Sequence, residues 1–91
     1  MKYEIIQTSK FKKDLKIVIK RGYDMALLAR VVDTLASGES LPPSNKDHKL
    51  EGDYGDSREC HITPDWLLIY KLDKDALILL LTRTGTHSDL F

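Results

Sequence analysis

The chain has 91 residues, of which 42% are hydrophobic and 31% are charged, a composition typical of one soluble globular domain. No apolar run approaches the ~20 residues of a membrane-spanning helix, and the first residues lack the apolar stretch of a secretory signal. The single cysteine, Cys60, has no partner for an internal disulfide, and the net charge of zero argues against strong non-specific attraction to nucleic acid. We expect one domain over residues 1–91, in the cytoplasm and without a membrane partner.

The first half of the chain predicts a strand followed by two helices. Tyr3–Gln7 is typical of a short strand. Ser9 is the predicted N-cap of a first helix, which ends at Gly22. Asp24 is the predicted N-cap of a second helix, which is closed by Ser37 and the glycine after it. Because the connection between the helices is short, we expect an antiparallel helical hairpin.

The first predicted helix carries most of the positive charge of this half. Residues 1–24 hold seven of the 14 basic side chains of the chain and only three acidic ones. Lys12, Lys16 and Lys20 recur every fourth residue beside Lys13, on a different face from the apolar positions. Such a face either contacts phosphates or an acidic partner, or is an ordinary solvated helix surface, and charge alone favours the second interpretation.

The second half predicts a loop and three strands. Gly38–His48 is rich in turn residues. Ser57–Ile62, Trp66–Leu72 and Ala76–Leu81 then predict strands joined by hairpin-length links, and the third is entirely apolar, as in a central strand covered on both sides. The order β-α-α-β-β-β indicates an α+β fold: a mainly antiparallel sheet with the helical pair on one face.

This topology predicts a cluster of polar side chains at one edge of the sheet. The strand that contains His61, the turn that contains Asp65 and the segment after the last strand, with Arg83 and His87, all reach that edge, and His48 arrives from the loop. Two chemistries are open. Three histidines and an aspartate are potential zinc ligands, although their spacing matches no zinc signature. Alternatively, histidines can act as general base and acid while an arginine stabilises a phosphoryl group, as RNA cleavage by its own 2′-hydroxyl requires.

Taken singly, these residues also have purely structural explanations, which the sequence leaves open. His48 can be a solvent-exposed loop residue, His61 can bond to Glu59 or the backbone, and Asp65 can stabilise a turn. Trp66 can be a core residue, Arg83 can pair with an acid, and His87 can be a tail residue without a function.

Three motifs in the second half occur in order at family-like spacing. They are Asp47-His48-x-Leu50-x-Gly52, then Arg58-x-x-His61-x-x-Pro64-Asp65-Trp66-x-Leu68-Ile69-Tyr70, then Arg83-x-Gly85-Thr86-His87-x-x-Leu90-Phe91. This pattern resembles the YafQ branch of the RelE toxin superfamily over residues 46–91. The resemblance implies a RelE-like fold and a bacterial type II toxin that cleaves mRNA in the ribosomal A site without a metal or other cofactor, and that a cognate antitoxin protein neutralises.

The resemblance also implies roles for individual residues. His48, His61, Asp65 and His87 match the acid/base group of the family, with proton transfer expected from His48 and His87. Arg83 matches a phosphate-contacting arginine. Trp66 and Phe91 match residues that shape a base-stacking pocket or position the tail. Lys12 and Lys16 become candidates for contact with ribosomal RNA.

Two alternatives to the ribonuclease remain at this stage. The ParE branch of the superfamily shares the scaffold and poisons gyrase without cleaving RNA, but lacks the histidine set. A small zinc-dependent hydrolase is supported only by the three histidines and the aspartate.

Overall fold

A computed structural model describes residues 2–52 and 55–91. Its strands are β1 (Glu4–Gln7), β2 (His48–Lys49), β3 (Arg58–Thr63), β4 (Trp66–Asp73) and β5 (Ile78–Gly85), and its α-helices are α1 (Ser9–Lys20), α2 (Met25–Ala36) and α3 (His87–Leu90). The strands form one sheet in the order β1-β5-β4-β3-β2, in which only the β1–β5 pair is parallel. The predicted α+β fold with a mainly antiparallel sheet is confirmed.

The caps of α1 and α2 show how the helical pair is attached. Asp24 caps α2 as predicted, since its carboxylate accepts from the Ala26 amide. The predicted Ser9 cap of α1 is wrong: the Thr8 hydroxyl accepts from the Phe11 amide and itself donates to the Thr82 carbonyl at 2.8 Å. Thr8 is preferred because it joins the start of α1 to β5, a contact that local sequence does not reveal.

The core lies between the helical pair and one face of the sheet. Its buried members come from all of these elements and include Phe11, Val18, Leu28, Val31, Leu35, Cys60, Leu68, Tyr70, Leu79 and Leu81. On the opposite face, Leu67 and Ile69 of β4 pack with Leu90 of α3. Residues 66–70 are therefore buried on both sides, and β4 is the covered central strand.

Several predicted boundaries need correction. The prediction of a loop up to His48 missed strand β2, which pairs with β3. The third predicted strand does not begin at Ala76, because residues 74–77 form the turn, with Leu77 at φ 57°, and β5 begins at Ile78. This strand extends to Gly85, and His87 then opens a short helix that was not predicted. Among the described residues, no helix combines the length and apolarity that crossing a membrane requires.

Candidate active site

The ends of β3, β4 and β5 surround a cleft that contains three of the predicted site residues. His61 from β3, Asp65 from the β3–β4 turn and His87 from the start of α3 line a cavity of about 540 Å³. Tyr23, from the α1–α2 connection, completes its wall. His61 is half-buried, whereas Asp65 and His87 are exposed. The structure thus brings two imidazoles and a carboxylate to one solvent-accessible surface.

The third histidine is connected to this cleft through a buried glutamate. Nε2 of His48 lies 3.7 Å from Oε1 of Glu59, and Nε2 of His61 lies 3.6 Å from the same oxygen. The arrangement follows from the sheet, because His48 is the cross-strand partner of Glu59, and His61 is the next residue on the same face of β3. Only 6% of Glu59 is exposed, so a single, largely desolvated carboxylate lies close to both imidazoles.

Backbone carbonyls determine which ring nitrogens face Glu59. Nδ1 of His48 is 2.7 Å from the Lys46 carbonyl, and Nδ1 of His61 is 3.3 Å from the Pro64 carbonyl. Because a carbonyl oxygen only accepts, Nδ1 of each neutral ring carries the hydrogen, which leaves Nε2 towards the carboxylate. The Glu59 carboxylate therefore faces Nε2 of both rings at distances below 4 Å.

A hydrogen-bond network on the helix side of the sheet holds the segment that leads into His48. The Tyr70 hydroxyl donates to Oδ1 of Asp47 at 2.6 Å, and Nε of Arg58 donates to the same oxygen at 3.2 Å. Burial, reinforced by the bond to Asp47, raises the pKa of Tyr70 well above its usual range, so the phenol remains a donor. Asp47 is therefore fixed between a buried tyrosine and an arginine, one residue before His48.

The short helix α3 determines where His87 lies. Thr86 and Asp89 form a capping box, in which the Thr86 hydroxyl accepts from the Asp89 amide and the Asp89 carboxylate accepts from the Thr86 amide. Leu90 anchors the helix against β4. Phe91 is 54% exposed, and its ring centroid is 4.8 Å from that of His87. Phe91 thus lies against the imidazole of His87.

Arg83 lies outside the histidine cleft. Its Nε and Nη2 donate to the Asp14 carboxylate at 2.7 and 3.1 Å, and the Thr84 amide donates to the same group. These residues line a neighbouring depression together with Asp89. The predicted acid partner is thus present, and any contact of Arg83 with phosphate is made by a guanidinium that Asp14 already orients.

Trp66 and Tyr23 form an aromatic pair beside the cleft. Trp66 is 2% exposed, and its indole Nε1 donates to the Thr84 hydroxyl at 2.8 Å. The half-buried Tyr23 ring meets it edge-on at 5.0 Å and also lines the cleft. Because Trp66 is buried, it supports this wall from behind, whereas Tyr23 presents a ring to the solvent-accessible side.

The remaining predicted residues, Lys12 and Lys16, are exposed on α1. The sequence interpretation missed Tyr23, assigned no catalytic role to Glu59 and did not identify Asp14 as the partner of Arg83. Only the position of Glu59 had a detectable signal, because strand alternation places it on the same face as His61. Across residues 2–52 and 55–91, no three His, Cys, Asp or Glu side chains are grouped so that they could hold a metal ion.

Comparison with known proteins gives consistent matches along the chain. A family model described as the bacterial toxin of type II toxin–antitoxin systems, YafQ, matches residues 3–91. The mRNA interferase toxin YafQ of Escherichia coli K12 is 41% identical over 90 residues, which cover 97% of this chain and 95% of that protein.

Solved structures agree with this match. The metal-bound toxin from Helicobacter pylori superposes with a TM-score of 0.92 at 48% identity, with 98% of this chain and 99% of that one covered. A chain of the E. coli DinJ–YafQ complex superposes with a TM-score of 0.89 at 39% identity, with 98% of each chain covered.

Proposed function

The chain belongs to the family of YafQ toxins of bacterial type II toxin–antitoxin systems, and we propose that it is an mRNA interferase that cleaves messenger RNA by metal-independent histidine catalysis on the ribosome. The observation that carries the catalytic part is the cleft in which His61, Asp65 and His87 meet, with His48 connected to it through Glu59. The cytoplasm of a bacterium is the proposed location.

The proposed reaction uses the 2′-hydroxyl of the RNA as the nucleophile. A histidine removes its proton, the 2′-oxygen forms a bond to phosphorus, and the bond from phosphorus to the 5′-oxygen breaks as a second group protonates that oxygen. The products are a 2′,3′-cyclic phosphate and a 5′-hydroxyl. We assign proton transfer to His48 and His87, and we assign orientation of the substrate and of the rings to His61 and Asp65. Glu59 stabilises the imidazolium that forms.

Binding of the scissile nucleotides requires stacking and positive charge. Tyr23, which lines the cleft, and Phe91, which lies against the His87 ring, are the candidate rings for stacking on a base, while Trp66 supports Tyr23 from the core. Arg83 is the candidate cation for a phosphate at the neighbouring depression, where Asp14 already orients its guanidinium. Lys12 and Lys16 contact ribosomal RNA through backbone phosphates. Since the net charge is zero, the ribosome rather than non-specific attraction supplies most of the binding energy.

A cognate antitoxin is the proposed protein partner. E. coli YafQ has been crystallised in a complex with DinJ, and a chain of that complex matches this chain over nearly its full length. We propose that a small protein encoded with this toxin binds it in the same manner and blocks access to RNA.

Replacement of His87 tests the proposal directly. His87→Ala should fold normally, because the side chain is exposed, and should abolish both growth arrest and the new 5′ ends that primer extension detects on a translated message. The matched control is Asp33→Ala, which alters an exposed position on α2 that does not line the cleft. Full toxicity of a soluble His87→Ala protein would contradict the mechanism.

The same assay separates the alternatives. Growth arrest without new 5′ ends would favour a non-enzymatic inhibitor of the ParE kind. Cleavage of mRNA on ribosomes cannot be tested in strong chelator, because ribosomes need Mg²⁺. Purified toxin is therefore treated with EDTA, dialysed and then assayed, and loss of cleavage that only added Zn²⁺ restores would favour the zinc hydrolase.

A further inference from the structure

We infer that Arg21, at the end of α1, is a positioning residue for His87 and acts through its ion pair with Asp89. The inference rests on the catalytic role proposed above for His87. Nη1 of Arg21 donates to Oδ2 of Asp89 at 2.6 Å, and Nη2 donates to Oδ1 at 3.1 Å. This bidentate pair joins positions 68 residues apart in the sequence and connects α1 to the helix that begins with His87.

The helix α3 needs such a connection because it is very short. Four residues cannot form a stable helix on their own, since nucleation fixes several residues for one hydrogen bond. Leu90 secures the end of α3 against β4, but His87 lies at the opposite end. There, Oδ2 of Asp89 accepts from both Arg21 and the Thr86 amide, which immediately precedes His87. The Asp89 carboxylate therefore links Arg21 to the backbone amide that precedes His87.

Both sides of this connection are fixed. The end of α1 is closed by bonds from the Arg21 amide to the Ile17 carbonyl and from the Gly22 amide to the Ile19 carbonyl. On the other side, Gly85 has φ +153°, and a β-carbon there would lie 2.9 Å from Oδ2 of Asp89. The strand therefore leaves space for the Asp89 carboxylate beside Gly85, and only glycine fits there without displacing it.

Arg21 itself is not assigned to the reaction. Its side chain is 39% exposed, and the groups that it contacts are the Asp89 carboxylate and the side chain of Tyr23. A direct contact of Arg21 with RNA would also make it important, so the test must distinguish positioning from binding. A positioning role predicts a lower rate at saturation, an unchanged half-saturation constant and non-additive effects of the two partners.

The experiment measures single-turnover cleavage on ribosomes programmed with mRNA, for Arg21→Gln, Asp89→Asn and the double variant. Each single variant should lower the saturated rate about tenfold, because small displacements of catalytic groups have effects of this order or larger. The double variant should be no slower than Asp89→Asn alone, because Arg21→Gln removes no further interaction with Asp89 once the carboxylate is lost. Arg21→Lys should recover part of the rate. Arg30→Gln, which removes an exposed arginine from α2, is the matched control and should cleave at the normal rate.

Amide hydrogen exchange of Asp89, Leu90 and Phe91 supplies a readout that does not depend on cleavage. Arg21→Gln should accelerate exchange at these amides while the β4 amides stay protected. Unchanged exchange in α3, or a loss confined to the half-saturation constant, would overturn the inference. Accelerated exchange with a normal cleavage rate would also overturn the positioning role of Arg21, while the His87→Ala variant tests the catalytic role of His87 separately.

Discussion

Replacement of Glu59 by glutamine should separate activity from stability. The Glu59 carboxylate is buried, and its contacts with Nε2 of His48 and His61 are 3.7 and 3.6 Å long. These distances are too long for strong hydrogen bonds but short enough for strong charge interaction. Glutamine has nearly the same shape and lacks the charge. The substitution therefore removes the stabilisation of an imidazolium without opening a cavity.

The magnitude follows from the charge separation. Two unit charges ~4 Å apart interact by about 1 kcal/mol in water and by about 4 kcal/mol near a protein surface. Because Glu59 is buried while the His48 side chain is 50% exposed, a value near 2 kcal/mol is appropriate for one imidazolium. At ~1.4 kcal/mol for each factor of ten, the cleavage rate should fall about 30-fold. The free energy of unfolding should stay constant or rise by up to about 1 kcal/mol, because a buried carboxylate is costly.

Cleavage on programmed ribosomes and urea unfolding should be measured on the same preparations. Glu4→Gln, which removes an exposed carboxylate from β1, is the matched control and should change neither quantity. A normal cleavage rate for Glu59→Gln would refute the argument that the two histidines depend on this charge. A loss of more than about 2 kcal/mol in stability would show that Glu59 is needed for the fold instead.

Three further predictions concern the tail and the core. Leu90→Ala should reduce cleavage at least tenfold while the melting temperature falls by only a few degrees, because α3 can detach locally. A large fall in melting temperature together with the loss of cleavage would contradict this. Burial raises the pKa of the Cys60 thiol to about 12, so iodoacetamide should modify it near pH 8 only after unfolding. The bond from Arg21 holds the pKa of Asp89 well below its usual range. The stability that the ionised Asp89 contributes should thus be complete above about pH 5 and be lost as the pH falls further. Melting curves of wild type and Asp89→Asn should therefore differ above about pH 5 and converge in acid.

The sequence predicted the elements whose patterns are local. Helical spacing and the Asp24 cap located α2, and alternating or continuous apolar residues located β3 and β4. Strand β2 was missed because two residues carry no periodicity and become a strand only by pairing with β3. Thr8 was missed as the cap of α1 because its second partner, the Thr82 carbonyl, is 74 residues away. The errors therefore lie where distant contacts determine local structure.

Prediction of the site also failed where contacts between distant residues decide the structure. Motif spacing and strand direction were sufficient to indicate that His61, Asp65 and His87 meet at one edge of the sheet. They were insufficient for Arg83, because nothing in the sequence identified Asp14, on a helix, as the acid that binds it. Tyr23 could not be predicted for a related reason: it comes from a turn between two helices and reaches the cleft only because these helices pack on the sheet.

The support of the cleft is rigid, whereas its proposed catalytic histidines lie on short elements. Trp66 and Thr84 are buried and hydrogen-bonded to each other, so the support behind the Tyr23 wall can move only if the core opens. His48 and His87 instead belong to a two-residue strand and a four-residue helix, whose positions depend on side-chain contacts such as those of Asp47 and Asp89. Substitutions at the contacts that secure these short elements should therefore reduce cleavage more than stability, whereas substitutions beneath the cleft, such as Trp66→Ala, should reduce both together.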